Sequence, residues 1–92
     1  MSTEYTVEVN TLYRIDTSHG SDWDIRGTST LITTENYRDA RLVFTCACSD
    51  QNIYSNRLAY NERVAVSLVA WPETGFGETL DYAEYNHDGL VY

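Results

Sequence analysis

The sequence predicts an α+β fold: an antiparallel sheet of three to four strands packed on one main helix, in the order β-β-α-β-β. Three observations carry that reading. Residues 4–16, EYTVEVNTLYRID, alternate in polarity along the chain. Residues 35–49 place apolar side chains three and four apart. Residues 63–71, RVAVSLVAW, form a run that is apolar on both faces. At 92 residues the whole chain, 1–92, is expected to be a single domain with a modest core.

In the first strand Tyr5, Val7, Val9, Thr11, Tyr13 and Ile15 point one way, and Thr6, Glu8, Asn10 and Arg14 the other. That period of two is the mark of a half-buried strand. TSHGSD supplies turn residues, with Gly20 free to take a positive φ. WDIRGTSTLIT is the second strand of a hairpin. Trp23, Ile25 and Leu31 are expected on one face, with Asp24, Arg26 and Ile32 on the other. Gly27 within it suggests a bulge or a close backbone approach.

Thr33 or Thr34 is expected to cap a helix running from about Glu35 to Ser49, buried along Tyr37, Ala40, Phe44, Ala47 and Cys48. Residues 50–62, rich in asparagine, read as a loop carrying a short helical turn. RVAVSLVAW follows as a central strand, ended by Pro72. PETGFG reads as a loop. ETLDYAEYNHDGLVY fits a fourth strand or two helical turns, and the strand is preferred.

Charge restricts the function classes. Fourteen acids face six basic residues, for a formal charge of −8, and all six basic residues are arginine. Such a surface repels phosphate, so neither direct DNA binding nor an anionic membrane is expected. A basic protein surface is the complementary partner. Residues 64–92 carry five of the acids and no arginine, which concentrates the charge towards the C-terminal end. No apolar run reaches the length of a membrane span. The opening MSTEYTVEVN lacks the basic and apolar regions of a secretory signal, and two cysteines in an unexported chain fit a reducing cytosol.

Catalytic and metal readings are weak, and no cofactor is expected. Cys46 and Cys48, two apart on a helix, point about 200° away from each other and cannot grip one ion together. Either thiol, with His19 or His87, would sit in an acidic setting that opposes thiolate formation. GFGE has no lysine and opens no clear helix, so it is not a phosphate loop. Paired carboxylates such as Asp22 with Asp24, or Asp81 with Glu84, occur on any acidic protein. The chain therefore reads as a binding protein and not as an enzyme.

The strongest candidate surface is the tail GFGETLDYAEYNHDGLVY, with four carboxylates and four aromatic rings. Tyrosine gives rigid contact area with a polar tip and is enriched at interfaces. Glu73, Glu78, Asp81, Glu84 and Asp88 are candidate phosphate-like charges, with Tyr82 and Tyr85 as anchors. Asp22 and Asp24 form a second acidic patch, with Trp23 beside them.

A small, acidic, lysine-free chain with strand text such as STEYTVEV and RVAVSLVAW around the helical YRDARLVF resembles the phage-encoded anti-CRISPR proteins, most of all the inhibitors of type I-F surveillance complexes. The resemblance lies in size, charge and element order over the whole chain, and no motif carries it. It implies a protein of the cytoplasm of an infected bacterium. There it would act as a stoichiometric blocker, binding the crRNA-guided Cas complex on its basic DNA-binding face and preventing target hybridisation; a monomer is favoured, with the oligomeric state left open by the sequence. Two other readings stand beside it: a small phage structural or accessory protein that forms oligomers, suggested by the two apolar faces of Val64–Trp71, and an acidic inhibitor of another nucleic-acid-binding defence protein, which fits the same charge.

Overall fold

β1 (Thr3–Thr17) and β2 (Gly20–Thr34) form the expected hairpin in the computed structural model, which describes residues 2–91. Gly20 takes φ +121°, and the Thr17 hydroxyl closes the turn by donating to the Gly20 carbonyl at 2.8 Å. The pairing register shifts twice. Gly27 and Ile25 face consecutive residues of β1, which leaves Arg26 as an extra residue, and a second shift leaves Leu31 extra. The Gly27 region is therefore a bulge, as its sequence suggests. Each bulge reverses the alternation. Leu31 consequently does not share a face with Trp23 and Ile25, and Ile32 packs against the core.

α1 spans Tyr37–Tyr54, and its cap is Asn36, whose side chain accepts from the Asp39 N–H at 3.2 Å. Thr33 and Thr34 do not cap it, because these β-branched residues complete β2 opposite Thr6 and Tyr5. The helix continues five residues beyond the expected end, through Ile53 and Tyr54, and a single 3-10 turn, Ser55–Arg57, follows. Ile53 and Tyr54 are exposed, so no buried stripe announces that extension. Ala40, Phe44 and Ala47 form the buried stripe, with Cys48 half-buried at its margin.

β3 (Glu62–Pro72), β4 (Glu78–Asn86) and the two-residue β5 (Gly89–Leu90) complete a five-stranded antiparallel sheet in the order β2-β1-β3-β4-β5. The tail is thus strand, with one short strand more than expected, made by the turn at His87 and Asp88. Val7, Val66, Leu68, Ala83 and Tyr85 meet Ala40, Phe44 and Ala47 in the core between sheet and helix.

The other face is not simply wet. Ala65, Ser67 and Val69 point away from the core cluster, yet all are buried. Ala65 lies between Asn10 and Glu84, and Ser67 between Glu8 and Tyr82, so short side chains are shaded by longer neighbours. β3 is therefore covered on both faces within one chain, and its apolar sequence demands no subunit partner.

Tyr85 is 2% exposed. Burial, then its hydrogen bond to Cys48, pushes its phenol up to about 12. Burial also raises the Cys48 thiol. Both groups are neutral below their pKa and higher in the folded than the unfolded state. Their contribution is thus complete below the ordinary values and is lost as pH rises towards the folded ones. For Tyr85 the window runs from 10 to about 12. Urea unfolding followed from neutral to alkaline pH should show stability falling through that window. In Tyr85→Phe the fall should be shallower; an unchanged slope would show that Tyr85 does not carry it.

Candidate functional site

The arginines decide which carboxylates remain available. Arg14 pairs with Asp16 at 3.3 Å, Arg26 with Glu62 at 3.6 Å, Arg41 with Asp81 at 2.6 Å and Arg63 with Glu84 at 2.8 Å. His87 lies 3.3 Å from Asp88 and pairs with it when protonated. Among the described residues, the other nine acids make no ion pair.

Several residues expected to meet a partner make contacts within the fold. Tyr85 is a core side chain and offers no surface. Glu84 is 7% exposed, and its two oxygens take the Arg63 guanidinium and the Tyr82 hydroxyl, the latter at 2.7 Å. Asp81 lies on the helix side of β4, where the Arg41 guanidinium donates to it; that bond is the main cause of the raised Arg41 pKa. It also accepts from the Tyr82 N–H. Asp22 and Asp24 accept from the N–H groups of Trp23 and Ile25, each at 2.8 Å. They pair with Ile15 and Tyr13 on the helix side of the hairpin, whereas Glu84 and Tyr82 face the opposite side on β4. Asp81 shares the hairpin carboxylates' side of the sheet but lies in register with Val7, six residues along β1 from Tyr13 or about 20 Å, so tail and hairpin do not form one acidic face. Asp88 is exposed in the β4–β5 turn, and Tyr92 lies outside the described residues. Trp23 lies under Arg63, whose guanidinium carbon is 4.3 Å from the ring centre.

A different acidic surface appears at one end of the sheet. Antiparallel pairing brings together the start of β1, the end of β2, the end of β3 and the start of β4. Thr34, Tyr5, Ala70 and Glu78 form one lateral row across these four strands. At about 4.8 Å between strands, that row is about 14 Å wide. Glu4, Glu35, Glu73 and Glu78 lie on this row or within three residues of it, all exposed and outside ion pairs. The N-terminus of α1 lies here too, because the Tyr37 ring meets Tyr5 edge-on at 5.4 Å; its first turn adds Asp39. Five carboxylates therefore face one guanidinium free of a carboxylate, that of Arg38. Glu35 and Asp39 also suit the positive end of the helix dipole.

Aromatic rings frame this end. Trp71 and Tyr37 are half-exposed, and Phe76 is 95% exposed at the tip of the β3–β4 loop. Two glycines hold that loop. Gly75 takes φ +110°, and Gly77 crosses so close to the Trp71 ring that an added Cβ would lie 2.6 Å from it. Trp71 is fixed in turn, its Nε1 donating to the Thr6 hydroxyl at 2.9 Å. The chain passes over one aromatic ring and turns the next into solvent. Glu73 and Glu78 were expected to belong to a partner surface; Glu4, Glu35, Asp39 and Phe76 join them only through the register.

Other chemistry is sparse. No group of three or more His, Cys, Asp or Glu side chains among the described residues is placed to hold a metal ion. No helix among them is long and apolar enough to cross a membrane. An open apolar groove of about 540 Å³ lies between α1 and the β1–β2 hairpin, with Val9, Leu31, Leu42 and Val43 in its walls. Comparison with protein families, with curated proteins and with solved structures finds no match.

Two substitutions separate fold from surface here. Glu84→Gln breaks the half-buried pair and strands the Arg63 charge, whose Nε already lacks a hydrogen-bond partner. It should cost about 2 kcal/mol in urea unfolding, and the double Arg63→Met, Glu84→Met should cost less. Gly77→Ala should displace the Trp71 ring, lower stability by about 1–3 kcal/mol and change tryptophan fluorescence. An unperturbed emission spectrum would contradict the close packing of Gly77 on Trp71.

Proposed function

We propose that the chain is an inhibitor that works by binding. Its acidic, aromatic end docks on the basic nucleic-acid-binding surface of a larger protein and keeps phosphate away from it. The observation that supports this reading is that Glu4, Glu35, Asp39, Glu73 and Glu78, none in an ion pair, lie at the same end of the sheet as the exposed Phe76 and Trp71. Strands lie about 4.8 Å apart, so charges at the ends of adjacent strands fall within the Debye length of roughly 10 Å at 0.1 M salt and act together on an approaching cation. An exposed ring held among them supplies the desolvated contact area that charge alone does not.

The candidate target is the one the family resemblance implies, a crRNA-guided type I-F surveillance complex whose DNA-binding face is basic. The proposed contact set differs from a tail-centred one. Asp81 and Glu84 are occupied by Arg41 and Arg63, so the partner contacts shift to Glu73 and Glu78 with the carboxylates beside them.

A DNA gel-shift assay with the purified type I-F complex tests this. Excess protein should abolish the shifted band, and added salt should weaken inhibition by screening the charges. Glu73→Lys with Glu78→Lys and Phe76→Ala should raise the concentration needed by about tenfold or more. The paired control Asp22→Asn and Asp24→Asn, on the far end of the hairpin, should have little effect. Normal DNA binding in excess wild-type protein would remove this target. Equal losses from the two sets would remove the acidic end as the contact.

A further inference from the structure

We propose that β2 pairs with the β2 of a second copy of this chain, joining two sheets into one and closing the apolar groove beside it. The edge is the first observation. β2 runs fifteen residues at the border of the sheet, with β1 on one side and, among the described residues, no strand on the other, and it is exposed along nearly its whole length. Bulges at Arg26 and Leu31 interrupt this edge, and the unpaired N–H and C=O groups of residues 27–30 between them are the template for another strand. The opposite border is blunted by β5, two residues long, and by the hydrogen bond from the Val91 N–H to the Glu84 carbonyl.

The second observation is what lies beside the edge. The groove between α1 and β2 is walled by Leu31, at one of the β2 bulges, and by Leu42 of α1. They remain 49% and 63% exposed. Apolar groups of this size beside an open edge are left half-covered by their own chain. A two-fold axis perpendicular to the sheet pairs antiparallel strands and keeps both helices on one face, so the two grooves meet across it. Such an interface is isologous and needs no second type of molecule. The molecule measures 46 Å by 18 Å along its longest and shortest axes. A seam of that length and thickness offers up to about 800 Å² from each copy, the size of a standard interface.

Charge opposes association, since each copy carries −8. The dimer should therefore strengthen with salt, the reverse of the salt dependence of binding to a basic partner.

Sedimentation equilibrium of the full chain over a wide concentration range, at low and high salt, tests this. The average mass should rise from 10.5 kDa towards twice that value, further at high salt. Backbone amides of residues 27–31 should exchange more slowly as concentration increases. Leu42→Glu and Leu42→Arg should each return the protein to monomer with unchanged circular dichroism, and Phe76→Ser should leave the dimer intact. A monomer under all conditions would overturn the proposal and leave the groove to a different occupant. A dimer that survives both Leu42 substitutions would overturn it as well.

Discussion

One guanidinium holds the face of the sheet that the helix leaves uncovered. Arg63 leaves β3 with its planar group over the Trp23 ring of β2 and its nitrogen on Glu84 of β4, which also receives the Tyr82 hydroxyl. The chain of contacts thus spans the sheet from hairpin to tail. It accounts for a strand as apolar as β3 lying at the centre of a two-layer fold without a second helix above it. Arginine suits the position because a flat, delocalised cation stacks and donates at once, whereas an ammonium presents only a point charge. Its buried Nε lacks a hydrogen-bond partner, so the arrangement carries a cost that the stacking and the ion pair must offset.

The same economy of cations shapes the surface. With fourteen acids and six arginines, most carboxylates have no internal partner whatever the fold. The fold chooses which. Arg41, on the second turn of α1, takes Asp81; Arg26, at a bulge, reaches Glu62; Arg14 stays beside Asp16. These pairs draw negative charge inward along the middle of the sheet and at the hairpin. The end where four strand termini meet the start of the helix has only Arg38, so the free charge collects there. Surface pairs of this kind add little stability. Their larger effect is to sort the carboxylates into those already engaged and those still available.

Much of the architecture was legible in the amino acids because it follows local rules. The alternation of Tyr5 to Ile15, the turn at Gly20, the bulge at Gly27 and the buried run Val64–Ala70 each depend on neighbours in sequence. The failures begin where distant residues decide. Thr33 and Thr34 look like helix caps until pairing with Thr6 and Tyr5 claims them for β2. Leu31 changes face because it is itself the extra residue of a bulge, which only the pairing of β2 with β1 reveals. Asp81 and Glu84 look like free tail charges, and only the register shows that arginines forty and twenty-one residues away take them. Tyr85 looks like an exposed anchor because tyrosine is so often half-buried, yet alternation from Ala83 was the signal for a core position. The acidic end has no signature in sequence, since Glu4, Glu35 and Glu78 become neighbours only once the strand order is known.

The two surfaces, one acidic and one apolar, need not conflict. Antiparallel pairing of two β2 strands sets the end of one copy's strand beside the start of the other's. The acidic ends, which lie at the Thr34 end of β2, then fall at opposite ends of a seam as long as the 46 Å molecule. That separation is several times the Debye length at physiological salt, so the densest free charges of the two copies scarcely interact. The closer repulsion in such a pair is between Asp22 and Asp24 of one hairpin and Glu35 of the other. The geometry that keeps the like charges apart also leaves both acidic ends uncovered. A dimer of this form would present two copies of the same binding end, facing away from each other, and its grip on a partner with two basic sites would be set by their spacing as much as by either contact alone.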